Sequence, residues 1–69
     1  MTDFVALNLA FVRAKKTKED IAKETRIPIQ HIKNGFKGFY EFTPKEIAAV
    51  SKSLNLTNEE MENIFYKAD

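Results

Sequence analysis

Apolar residues recur along the chain at intervals of three and four, the period of a helix buried on one side, and no segment shows the alternation of a strand. Phe4, Leu7, Ala10 or Phe11, and Ala14 form the first such row, and Val5, Leu9 and Val12 widen it. The spacing predicts a helix from about Asp3 to Lys16, with Thr2 or Asp3 able to cap its start. Thr17, with Asp20 three residues on, resembles a capping box and predicts a second helix from Lys18 to about Thr25, burying Ile21 and Ala22. Pro28 cannot continue a helix but can open one, and it pushes Ile27 toward an extended conformation. A tight turn at Arg26-Ile27-Pro28 and a third helix over 28–37 follow. That helix has Ile29, Ile32 and Phe36 on one side and Gln30, Lys33, Asn34 and Lys37 on another.

Gly35 and Gly38 mark where the third helix frays or stops; either it reaches residue 37, or Asn34-Gly35 ends it early and leaves a longer loop to Phe42. Thr43-Pro44-Lys45-Glu46 is the clearest helix start in the chain, with Thr at the cap, Pro at the first helical position and Glu at the third. A fourth helix to about Leu54 turns Ile47, Val50 and Leu54 inward. Thr57-Asn58-Glu59-Glu60 repeats the capping pattern before a fifth, whose stripe is Met61, Ile64, Phe65 and Ala68. The pattern predicts an all-α fold, one domain over residues 1–69 built as a compact bundle of about five short helices.

Sixty-nine residues lie near the lower limit for independent folding, a size at which only about 60% of the unfolded surface is buried. The chain has no cysteine, so neither disulfides nor thiolate metal sites are available. No apolar run approaches the ~20 residues of a membrane span, and Met1-Thr2-Asp3 does not begin a basic signal peptide, so a cytoplasmic protein is expected. The net charge is only +1, but between Arg13 and Lys37 eight basic residues face three acids, a local excess of +5, while the rest of the chain carries −4. A basic middle points to an anionic partner.

Two short helices joined by a three- or four-residue turn form a helix-turn-helix unit. From Thr17 to about Thr57 the sequence resembles, without a gap, the lambda-repressor-like (Cro/XRE-type) family of DNA-binding domains. Thr17-Lys18-Glu19-Asp20-Ile21-Ala22 is similar to its T-Q-E-E-L-A, Ile27-Pro28-Ile29-Gln30-His31-Ile32 to I-S-R-S-T-I, and the segment from Ile47 to Thr57 to L-L-K-I-A-K-A-L-G-V-S. The resemblance implies that the third helix enters the major groove of double-stranded DNA and the second crosses the phosphate backbone. By position it assigns base reading to Ile29, Gln30, Lys33 and Asn34, and phosphate contacts to Lys18 and Lys37. Lys16 joins the phosphate set by its charge. Side-chain chemistry agrees in part: Gln30 and Asn34 can pair bidentately with adenine, and Lys33 can donate to guanine. The implied function is sequence-specific transcription regulation, as by a repressor of phage or mobile-element origin acting as a homodimer on a two-fold operator. The alternative is a modulator or antirepressor of the same fold that docks on a partner repressor protein.

Several positions depart from the family pattern. Arg26 stands where glycine is favoured, which predicts a left-handed non-glycine residue. Gly35 stands where a bulky core residue is usual, and the connection before Thr17 lacks a glycine. Ile29 either meets a thymine methyl or packs inward. Phe36, Phe39, Tyr40 and Phe42 either cover the core or, where exposed, mark a protein interface; Phe39 and Tyr40 are the interface candidates. Met61 and Phe65, with Ile64 and Tyr66, either pair two copies or close the core. His31 stands alone, so no metal site is expected, nor any cofactor. No nucleophile–histidine–carboxylate set, glycine-rich phosphate loop or HExxH is present, so catalysis is not expected.

Overall fold

The computed structural model describes residues 1–67, and places five helices and no strand among them. They are α1 (Phe4–Ala14), α2 (Lys18–Thr25), α3 (Ile29–Lys37), α4 (Pro44–Ser53) and α5 (Asn58–Phe65). Ala68, assigned above to the fifth apolar stripe, lies outside the described residues.

Each start is fixed by local chemistry. Asp3 caps α1 by accepting from the Ala6 N–H at 3.0 Å. Thr17, Thr43 and Thr57 each form a complete capping box, with Asp20, Glu46 and Glu60 returning the bond to the cap N–H. Each such cap contributes about 1 kcal/mol. The ends are equally local: Lys15, Arg26 and Asn55 take left-handed backbone at φ 54°, 61° and 58°. The left-handed Arg26 agrees with the expectation for that turn. Pro28 precedes α3 as its cap rather than as its first helical residue.

Each helix packs against two others, so the five close a ring around one core: α1 on α3, α3 on α2, α2 on α4, α4 on α5, and α5 back on α1. A 2.6 Å bond from the Asp3 N–H to the Ile64 carbonyl seals the last junction. Leu7, Ile21, Ile32 and Val50 are wholly enclosed at the centre. Burying each is worth about 1.5–3 kcal/mol. The inward stripe of α1 is narrower than its sequence predicts: Val5, Leu9 and Val12 face outward. An eleven-residue helix with apolar residues around most of its girth cannot bury all of them, and the core takes Leu7, Ala10 and Phe11.

Gly35 does not end α3. The helix runs on to Lys37 and closes at left-handed Gly38, with the Phe39 N–H reaching back to the Asn34 carbonyl at 2.8 Å. Gly35 is buried, and a Cβ built on it would overlap the Phe42 ring. The bulk missing from the helix is thus supplied by the following loop. Phe42 meets Phe36, Tyr40 and Phe65 edge-on with centroids 6.3, 5.7 and 6.4 Å apart.

Gly35→Ala gives this packing a test. On an exposed helix that change adds up to about 1 kcal/mol of stability; here displacement of Phe42 should outweigh it and give a net loss of about 1–3 kcal/mol. Urea unfolding followed by circular dichroism measures it, and a stabilised variant would show that the ring is not seated as described.

Candidate nucleic-acid interface

The third helix divides cleanly by residue type. Ile32, Gly35 and Phe36 are buried, and Ile29 is half-buried against the same core, which favours the inward reading of that residue over a thymine contact. Gln30 and Lys37 are exposed, while Lys33 and Asn34 are partly so. Gln30 Nε2 donates to Asn34 Oδ1 at 3.2 Å, so two of the proposed base-reading amides share one turn and orient each other. The start of α3 has no side-chain cap and no acid in its first turn, unlike α2, α4 and α5. The His31 N–H turns back to the Pro28 carbonyl at 2.9 Å, and no cap or first-turn side chain complements the positive end of the helix dipole.

The basic residues separate into two sets. Lys16 is bound within the fold: its Nζ donates to Glu24 Oε1 at 2.7 Å and to the Ser53 carbonyl at 2.6 Å, and its side chain is only 26% exposed. The expectation that Lys16 holds a phosphate is corrected, because its ammonium ties the α1–α2 connection to the end of α4. The Ser53 hydroxyl completes the cluster by donating to the same Glu24 oxygen at 2.9 Å. In contrast, Lys18, Lys23, Arg26, Lys33 and Lys37, all on α2, α3 or the turn between them, take part in no ion pair among the described residues. Lys18 opens α2, and Lys37 closes α3.

The flank of α3 is covered by aromatic packing. His31 stacks on Tyr40 with centroids 4.7 Å apart and planes at 20°, and the Tyr40 hydroxyl donates to Glu46 Oε1 at 2.8 Å. Tyr40 is half-buried by this contact, so it serves the fold more than an interface. Its hydroxyl pKa is raised by the hydrogen bond to Glu46 and by burial. Among the described residues no three His, Cys, Asp or Glu side chains come together as a metal site would require.

The four interface candidates fare differently. Phe65 is buried at 2% exposure and is removed from the set, because it fills the core beneath Phe42. Met61 is partly buried against the same core, whereas Phe39 stands 80% exposed just beyond the end of α3. The exposed apolar face of α1, with Val5, Leu9 and Val12, is the surface feature that the sequence reading missed. The outward spacing of 5, 9 and 12 was the available signal, but periodicity alone cannot say which side of a helix apolar on most sides faces in.

No protein-family model, curated protein or solved structure matches this chain. No helix among the described residues is long and apolar enough to cross a membrane.

The capping boxes and the Lys16 cluster make a pH prediction. Backbone and side-chain hydrogen bonds at Thr17 lower the pKa of Asp20, and the Thr57 N–H leads in lowering that of Glu60. Lys16 and Ser53 lower that of Glu24. Burial pushes Glu46 upward, but bonds from the Thr43 N–H and the Tyr40 hydroxyl leave it lowered. Groups with depressed folded-state values stabilise the fold above their unfolded values of about 4, and this contribution is lost as pH falls through the folded values. The melting temperature should be level between about pH 5 and 7 and drop steadily below about pH 4. A melting temperature unchanged down to pH 2 would contradict these assignments.

Proposed function

We propose that α2, the Arg26-Ile27-Pro28 turn and α3 form a helix-turn-helix of the lambda-repressor-like kind. In this reading α3 lies in the major groove of double-stranded DNA, and the protein regulates transcription. The observation that carries the reading is the division of α3 into a buried Ile32/Phe36 side and an accessible polar side holding Gln30, Lys33, Asn34 and Lys37. Support comes from the five basic side chains of the α2–α3 unit that no acid of the described fold engages. Gln30 and Asn34 supply paired donors and acceptors suited to adenine, and Lys33 supplies donors suited to guanine. Lys18 and Lys37 set register on the phosphates.

A second reading is favoured by one feature. Phe39 stands bare next to the proposed reading helix, as suits a surface that docks on a repressor protein and occludes its DNA-binding face.

Fluorescence anisotropy with duplexes tiling the promoter region beside its own coding sequence separates the two, run from about 50 to 200 mM salt. The DNA reading expects tight binding at low salt and a log–log salt slope of about −0.9 for each phosphate neutralised. Lys37→Ala should shallow that slope by about one phosphate contact. Gln30→Ala and Lys33→Ala should each lower preference for the best duplex by about 1–3 kcal/mol. Absence of wild-type binding at 50 mM salt overturns the DNA reading, and binding to a purified repressor protein would then support the second.

A further inference from the structure

Five asparagines lie in the chain, at 8, 34, 55, 58 and 63, and only Asn34 is followed by glycine. That pair carries a reaction of its own. A backbone nitrogen can attack the carboxamide carbon of the asparagine before it. Glycine, with no Cβ, obstructs the attack least and reaches the required backbone angles most readily. Asn34 is partly exposed on the polar side of α3, and Gly35 is buried on its inner side. The glycine is not free to change, because a Cβ there would overlap the Phe42 ring. The packing that seats α3 thus requires the residue that makes Asn34 reactive.

We propose that Asn34-Gly35 is a self-modifying site, held off by the closed α3 and released when that helix opens, at which Asn34 is converted to a carboxylate. The Gly35 nitrogen gives up its proton and bonds to Asn34 Cγ. The Cγ–Nδ2 bond breaks, and the amide nitrogen leaves as ammonia with that proton. Water then opens the five-membered imide. Cleavage at Cγ leaves aspartate; cleavage at the backbone carbonyl carbon leaves isoaspartate, with one extra carbon in the main chain. Nothing is oxidised or reduced. The folded helix opposes the first step in three ways. Gly35 lies inside α3, where each N–H is turned onto the carbonyl four residues earlier. The Asn34 carbonyl accepts from the Gly38 and Phe39 N–H groups, the latter at 2.8 Å, which fixes the main chain between the reacting atoms. Gln30 Nε2 holds Asn34 Oδ1 at 3.2 Å from one turn before, whereas the attacking nitrogen follows. Yet α3 has nine residues and no side-chain cap, so packing alone keeps it closed, and its opening exposes the pair. The product sets a negative charge beside Lys33 and Lys37 on the polar side. On the reading of α3 as the helix that meets DNA, on which this consequence alone rests, conversion is an irreversible loss of binding.

Peptide mapping by mass spectrometry reads the gain in mass as an amide becomes an acid, in wild-type protein kept in mildly alkaline buffer with and without denaturing urea. In urea, Asn34 should convert ahead of Asn8, Asn55, Asn58 and Asn63. In native buffer it should convert at least about a hundredfold more slowly, because only the open fraction reacts. Phe42→Leu loosens the ring over Gly35 while keeping an apolar side chain; it should speed native conversion roughly fivefold and leave the rate in urea unchanged. Gly35→Ala should slow conversion in urea. Asn34→Asp, the product itself, should bind the best duplex at least about fivefold more weakly than wild type. Another asparagine converting first in urea, equal rates with and without urea, or a native rate indifferent to Phe42→Leu would each overturn the proposal. A wild type that binds no duplex overturns the DNA reading instead, and the conversion rates then decide this one alone.

Discussion

The clamp on α3 is the constraint on which the rest of the structure depends. Ile32 enters the centre of the ring with no exposed surface, Phe36 packs edge-on against Phe11 at 5.1 Å, and Phe42 occupies the space above Gly35. These contacts come from α1 and from the loop after α3, and Phe65 of α5 stands behind Phe42. Helix α3 is nine residues long and lacks a side-chain cap. A helix that short is not stable alone, so its continuity is a product of packing rather than of local preference.

Because the inner side of α3 is fixed in this way, its outer side is fixed as well. A helix held at residues 32 and 36 must present 30, 33, 34 and 37 away from the core or at its edge. The His31–Tyr40–Glu46 stack then supports one flank and joins α3 to the capping box of α4. This polar ridge is held by burial and not by its own ion pairs, which leaves its amides and lysines available to a partner. The outward apolar face of α1, with Val5, Leu9 and Val12, takes no part in that clamp.

Much of the architecture was legible in the sequence because it is written in local chemistry. Thr17 with Asp20, Thr43 with Glu46 and Thr57 with Glu60 state three helix starts within four residues each, and the bounds of α2 were anticipated to the residue. What local chemistry could not state was decided by partners distant in the chain. The continuity of α3 through Gly35 rests on a ring seven residues later, where a glycine read by itself signals a stop. Lys16 reads as a free cation until the fold brings Glu24 and Ser53 to it, 8 and 37 residues away. On α1 the apolar residues cover most of the helix, so spacing could not distinguish the face that packs from the face that stays bare.

The central claim is that the accessible side of α3 is the surface that meets DNA. Amide chemical-shift mapping by nuclear magnetic resonance, with a mixed-sequence duplex added at low salt, reads this most directly. The account predicts that the perturbed signals gather at Lys18 and from Gln30 to Lys37, leaving Val5 to Val12 unmoved. Perturbations confined to α1 or α5, or none anywhere, would contradict it.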